Sequence, residues 1–542
     1  MRIVSQRLFI GFILVLLSST ALLAQGDGVG GNLYAVALLI IVGAVILVSA
    51  VLTLSENFLQ IETAKVGLQD QPKRGGIRSL WAAPAPKYVG EHHFIELTKG
   101  HDILLNGFPQ STTLLPSPAQ RYAARPIDFR GLAPIPRVTV AVGDTVKAGE
   151  VLFHDKKDPK IKYVSPVSGE IVDIRRGEKR AINDVIILAD KEITHVQHEP
   201  PSITESSRED LIDYLCETGG WTLLNQRPYD MLPDPDVVPK NIFVSTFDSA
   251  PLAPDYATII DGFEQSFQKG LDTLARLTDG DVHLGLDARG EAPHTAFADA
   301  EGVKKHYFKG KHPSGNVGVQ IHHIAPINAG EVVWTLSVQE VITLGELMFK
   351  GIWNARRVIG VTGAQVKTPT FYEAYIGANV GEMIADNLEE TKSRIIDGDV
   401  LSGVETGPED FLAHRSDQIT AIEEGDYYEM FGWLLPIAPR PTISKTFPNF
   451  LYKNMKFDGD TNTHGEKRAF VVSGEYEKVL PMNLYPQHLI KAIMTGDFEK
   501  MEGYGIYELS EEDIALCEFS CTSKQPLQAI LRDGLEMMRE QG

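Results

Sequence analysis

The 542-residue chain is poor in cysteine, with only Cys216, Cys517 and Cys521. Three thiols exclude a disulfide framework and a four-cysteine zinc site. They also fail as a cluster motif. The bacterial iron-sulfur run is C-x2-C-x2-C-x3-C-P, yet counting back from Cys517 gives Ile514 and Glu511, and Thr522 stands where the proline belongs. Basic residues are in deficit, 51 against 72 acidic ones, for a net charge of −21. An acidic chain repels phosphate backbones, so nucleic acid is not expected as a partner. No G-x-S-x-G elbow, H-E-x-x-H pair or G-x-x-x-x-G-K-[ST] loop occurs, which leaves self-contained hydrolysis and nucleotide binding without support.

The shortage of basic residues is most marked from Leu8 to Ala64, which contain no lysine or arginine. Two apolar runs lie there. Leu33 to Leu54 is uncharged over 22 residues, about 33 Å of helix and enough to cross a bilayer. Leu8 to Ala24 follows Arg2 and Arg7 and reads as a signal peptide, within 1–24, or as a first membrane helix. Lys65, Lys73, Arg74 and Arg78 follow the second run, so the positive-inside rule places the rest of the chain on the cytoplasmic side of the inner membrane. The first 90 residues carry seven basic and four acidic groups, a net of +3, and the other 452 carry −24. Residues 55–90, with Gly75-Gly76 and an Ala-Pro repeat, read as linker.

Beyond it the pattern is multidomain, α+β and α/β. Residues 91–200 hold short β-branched runs broken by turns, in the order V-G-D-x-V-K-x-G-x-x-L then S-P-V-S-G-x-I. This resembles a biotinyl/lipoyl-type barrel-sandwich hybrid. Its hairpin tip, Asp155 to Lys160, carries Lys156, Lys157 and Lys160 outside the sequence contexts of true carriers, so it reads as a reused scaffold. Over 205–352 strands and helices alternate, with strands expected at 241–246, 282–286 and 317–324 and helices at 263–277 and 338–348, giving a Rossmann-like layer. No G-x-G-x-x-G follows any of these strands, which argues against a dinucleotide site. Residues 355–440, with Arg357 to Gly363, Val366 to Pro369, a helix near 379–387 and an I-x-G-D-x-L-x-G turn, resemble a soluble-ligand-binding β-grasp (ubiquitin-like) domain. Residues 448–542 read as a helical C-terminal domain with helices near 486–494, 511–517 and 527–539. Ser510-Glu-Glu-Asp513 forms a capping box for the middle one.

Candidate chemistry is sparse. His322 and His323, adjacent on the expected strand, would point to opposite faces and not share an ion with His312, so no metal site is expected. The most function-like feature is the loop Lys311-His-Pro-Ser-Gly-Asn316. His312, Ser314 and Asn316 offer donors and acceptors, and Gly315 allows close backbone approach. It reads either as a hydrogen-bonded packing turn or as a contact for a quinone head group or a neighbouring subunit.

Gly310-Lys-His-Pro-Ser-Gly315, Ile321-His-His-Ile-Ala-Pro326, Trp334 with Val338-Gln-Glu-Val341, Arg357-Val-Ile359, the tail Leu509 to Cys517 and Leu531-Arg-Asp533 carry a further resemblance. From about residue 94 to the end the chain is similar to the A-subunit family of the sodium-translocating NADH:quinone reductases. That implies one of six subunits of a membrane complex which passes electrons from NADH to ubiquinone and exports Na+. Such a subunit supports or forms the quinone-reduction site beside a quinone-side membrane subunit and binds no flavin or iron-sulfur cluster itself. NADH, flavins and the cluster belong to the five partner subunits. An S-G-A-T-type covalent flavin site is likewise missing here. The departure is the front 90 residues, since the family ordinarily starts near residue 94 and has no membrane helix of its own. Alternatives are a component like the C subunit of the related ferredoxin:NAD oxidoreductase, or a non-redox scaffold or carrier.

Overall fold

A computed structural model describes residues 85–133, 135–389, 391–429, 439–443 and 454–541. The expected membrane runs, 8–24 and 33–54, and nearly all of the expected linker lie outside them. Among the described residues no helix is long and apolar enough to cross a membrane. The chain divides into Met1–Lys87 and Tyr88–Gly542, and the elements below belong to the second unit.

Three apolar runs, Val282–Asp287, Ile242–Ser245 and Val333–Ser337, form the middle of a six-stranded, mostly parallel sheet in the order His93–Glu96, Lys304–Lys309, Val282–Asp287, Ile242–Ser245, Val333–Ser337 and Asn225–Arg227, only the last being antiparallel. Parallel neighbours require crossovers over a face of the sheet, and helices supply them. That is why Val317–Ile324 is a helix and not the strand its V-x-V-x-I alternation suggests. It lies between two parallel strands of one sheet. The long helices Glu264–Leu277 and Val338–Lys350 pack against each other. The second starts with a capping box, Ser337 with Glu340, and ends on Gly351 in the left-handed region, φ 68°, where glycine has no Cβ to clash.

The barrel-sandwich unit pairs a four-stranded sheet (Arg121–Ala124, Ile182–Ala189, Gly169–Arg176, Thr145–Val146) with a three-stranded one (Arg137–Val138, Val151–His154, Lys162–Val164). The third sheet-bearing part is one mixed sheet that runs Val404–Thr406, Ser393–Asp397, Gln418–Glu423, Arg356–Thr362, Thr370–Tyr375 and Leu114–Pro116, with the short helix Val380–Ile384. Two strands from the 91–200 stretch thus join other sheets: His93–Glu96 edges the parallel sheet and Leu114–Pro116 edges the mixed sheet. One continuous apolar core joins the three sheet-bearing parts. A second core gathers the C-terminal helices, including Pro486–Met494, Glu511–Ser520 and Leu527–Gln541, with Leu97, Phe247, Phe308 and Val319 of the sheet region.

Candidate functional site at the carboxyl end of the parallel sheet

Parallel α/β sheets bind ligands beyond the carboxyl ends of their strands, and the loop Gly310 to Asn316 lies there, between the strand Lys304–Lys309 and the helix Val317–Ile324. Apart from His312 Nε2, which is buried with no hydrogen-bond partner among the described residues, its groups are spent on the chain itself. The His312 backbone N–H donates to Asp102 Oδ1 at 2.9 Å, and its carbonyl accepts from the His101 N–H at 2.9 Å. The Gly315 N–H donates to Ser249 Oγ at 2.8 Å, leaving the Ser249 hydroxyl proton to face His312 Nδ1, 3.1 Å away. Ser314 Oγ donates to the Gly310 carbonyl at 3.2 Å, and Asn316 Nδ2 to the Glu512 carbonyl at 3.0 Å. The Gly315 carbonyl accepts from Ser245 Oγ at 2.9 Å. A Cβ on Gly315 would lie 2.6 Å from the Ser249 nitrogen, so glycine is needed for that close approach.

All four expected residues are therefore brought together and buried, with His312 4%, Ser314 0% and Asn316 8% exposed. Burial lowers the His312 pKa against the opposing pull of Asp248, Asp399 and Asp102, which favours a neutral ring. The loop can hold shape and polarity in place, and it offers neither nucleophile nor redox centre.

The C-terminal helices clamp this loop. His322 and His323, both on the helix, reach into that region: His322 Nε2 accepts the Asn483 N–H at 3.0 Å, so Nδ1 carries the proton donated to Glu508 Oε2 at 2.6 Å. His323 Nε2 lies 2.7 Å from the Pro481 carbonyl. Residues that sequence reasoning missed complete the clamp. Arg227 reaches Glu512 at 2.7 Å and Asp513 at 3.2 Å, and Arg130 reaches Asp230 and Glu511, each at 2.8 Å. Burial pushes the Asp513 pKa up against the pull of Arg227. For Asp230 burial is outweighed by Arg227 and Arg130, which bring its carboxyl down to about 2. Arg227 follows no motif. The capping box Ser510-Glu-Glu-Asp513 is a local signal, but its service as an ion-pair acceptor depends on a residue 286 positions away.

A cleft of about 570 Å³ lies elsewhere, at the Leu114–Pro116 edge of the mixed sheet, lined in part by Asn106, Phe108, Leu115, Lys367, Thr368 and Asp458. Gly107 (φ +95°) sits in its wall, and a Cβ there would overlap Gly363.

Comparison with known proteins follows these parts along the chain. Residues 95–190 match the NqrA N-terminal barrel-sandwich hybrid domain, 206–353 the NqrA second alpha/beta domain and 358–407 the NQRA C-terminal domain. The A subunit of the Na(+)-translocating NADH-quinone reductase of Alcanivorax borkumensis is 36% identical over 452 residues, 83% of this chain and 100% of that protein. Its counterpart of the same name in Neisseria meningitidis serogroup B is 36% identical over 451 residues, with the same coverage. Among solved structures, an air-oxidised NAD+-reducing [NiFe]-hydrogenase matches at 11% identity with a TM-score of 0.32, over 64% of this chain and 67% of that one. Identity along the whole length of the curated relatives, with three domain matches in the same order, places the chain in the NqrA family, the A subunits of the Na(+)-translocating NADH-quinone reductases.

Proposed function

We propose that the chain serves as the A subunit of a Na(+)-translocating NADH-quinone reductase, supporting the quinone-reducing end while the complex couples NADH oxidation to Na+ export. The observation that carries this is the 36% identity to proteins of that name over their entire length. In this reading it works with five other subunits, the quinone-side membrane subunit foremost, and ubiquinone is the substrate. The partners hold the flavins and the iron-sulfur cluster, and this chain binds none. The test is complementation: in A. borkumensis lacking its own gene for this subunit, the chain should restore Na+-dependent NADH:ubiquinone activity in membranes, and full expression without restoration would overturn the reading.

His312, Ser314, Gly315 and Asn316 serve the quinone end by fixing the seam between the parallel sheet and the C-terminal helices. Gly315→Ala should lower ubiquinone reduction while NADH oxidation with an artificial acceptor holds; equal ubiquinone rates would remove the loop from this role. The run Leu33 to Leu54 anchors the chain to the inner membrane with its domains on the cytoplasmic side. Expressed without partners, the full chain should sediment with membranes and a chain starting at residue 85 should not; equal partitioning would refute the anchor.

A further inference from the structure

Three histidines cross the parallel sheet on one face. His93 and His306 are direct register partners on adjacent strands, and their Nδ1 atoms lie 3.1 Å apart. His283 pairs with Lys304, two residues from His306, and so shares the face. Its Nδ1 is 3.0 Å from Nε2 of His306, and its ring stacks on Phe243 with centroids 4.7 Å apart. Exposure rises along the row: His283 and His306 are buried and His93 is open to solvent.

We propose that His93 and His306 bind a borderline d-block cation, Zn2+ or its like, through their Nδ1 atoms, with His283 orienting His306 and water completing the coordination shell. Two imidazoles on a tetrahedral zinc have their nitrogens about 3.3 Å apart, close to the spacing already present. A ligating histidine must be neutral, and His306 is buried between two other imidazoles. When Nε2–H of His306 donates to His283 Nδ1, the lone pair of His306 is fixed on Nδ1, the outer hydrogen bond that orients metal-bound histidines. On cation entry the hydrogen bond between the two Nδ1 atoms opens and His93 holds its proton on Nε2, so a neutral pair releases none. The ammonium of Lys304 is engaged by Asp281 at 2.7 Å, which limits repulsion.

A rival cluster, Asp261, Glu264 and His294, has its ligand atoms within 4.8 Å of one another. There His294 Nδ1 accepts the Ala296 N–H at 3.2 Å, so the proton sits on Nε2, facing Asp261 Oδ1 at 3.1 Å. There a cation would have to dismantle a helix cap, whereas at His93 and His306 it replaces the hydrogen bond between the two rings.

The test uses the full-length chain stripped with EDTA and dialysed against limiting Zn2+, with bound zinc counted by mass spectrometry. One equivalent is expected to disappear in His93→Gln and in His306→Gln and to persist in His294→Gln. His93→Gln is decisive, because His93 is exposed and its metal-free circular dichroism should match the parent. His283→Gln should keep the equivalent and weaken it roughly tenfold to a hundredfold. Equal zinc in the parent and His93→Gln, or loss only in His294→Gln, overturns the site, and unchanged affinity in His283→Gln overturns its orienting role.

Discussion

Asp128 has a side chain only 12% exposed, and its Oδ2 accepts the His414 N–H at 2.8 Å. Burial, opposed by Arg125, raises its pKa to about 7. A carboxyl whose folded pKa is raised contributes stability below its unfolded value, near 4, and loses it as pH climbs through the folded one. The stability that Asp128 contributes should therefore fall between pH 4 and 7. Asp128→Asn should flatten that slope by up to about 1.4 kcal/mol per pH unit, measured as urea unfolding at pH 4.5, 5.5 and 6.5; an unchanged slope would mean that Asp128 does not titrate in this window. Arg227 poses the opposite case. Its removal strands Asp513, which is 0% exposed, so Arg227→Met should cost about 3–5 kcal/mol, read from the same denaturation curves. None of this is legible in the sequence, since Asp128 and Arg227 follow no local pattern and the partners His414 and Asp513 each lie 286 positions away.

Elements are more legible than side-chain environments. The strand expected at 241–246 is Ile242–Ser245, the helix expected at 263–277 is Glu264–Leu277, and the helix expected at 486–494 has those bounds, because each shows an apolar period that its packing uses. Lys304–Lys309 looks like a basic stretch, although its His-Tyr-Phe centre is buried and it forms a strand. The helix Val317–Ile324, expected as a strand, shows the limit of periodicity: with apolar residues at 317, 319, 321 and 324, eight residues fit a period of 2 and of 3.6 about equally, and only its place as a crossover between two parallel strands of one sheet decides. The correction matters chemically, because on a helix both His322 and His323 reach the C-terminal segment. Removing the first leaves Glu508 and the Asn483 N–H short of a partner. His322→Ala should destabilise that region by about 1–3 kcal/mol and speed amide exchange across 476–541, with the barrel-sandwich strands unaffected; uniform protection would show that the clamp carries no such energy.

At the scale of the molecule, the barrel-sandwich and mixed α/β parts announced by composition and turn order are present, and the function followed from the family they belong to. What composition could not give was how the parts interlock. His93–Glu96 closes the edge of a sheet whose other strands begin at residue 225. A chain starting at residue 111 would leave Lys304–Lys309 as an open edge, and exposed edges pair with other molecules. It should elute from size exclusion as aggregate where a chain starting at residue 85 elutes as one species; identical profiles would show that the edge strand is dispensable.

The same strand sets a schedule for synthesis. His93 meets His306, 213 residues later, so the start of the folded body leaves the ribosome long before its neighbour exists. At about 5–20 residues per second that wait is on the order of ten to forty seconds. During it the edge strand stays unpaired, open to pairing with other nascent chains.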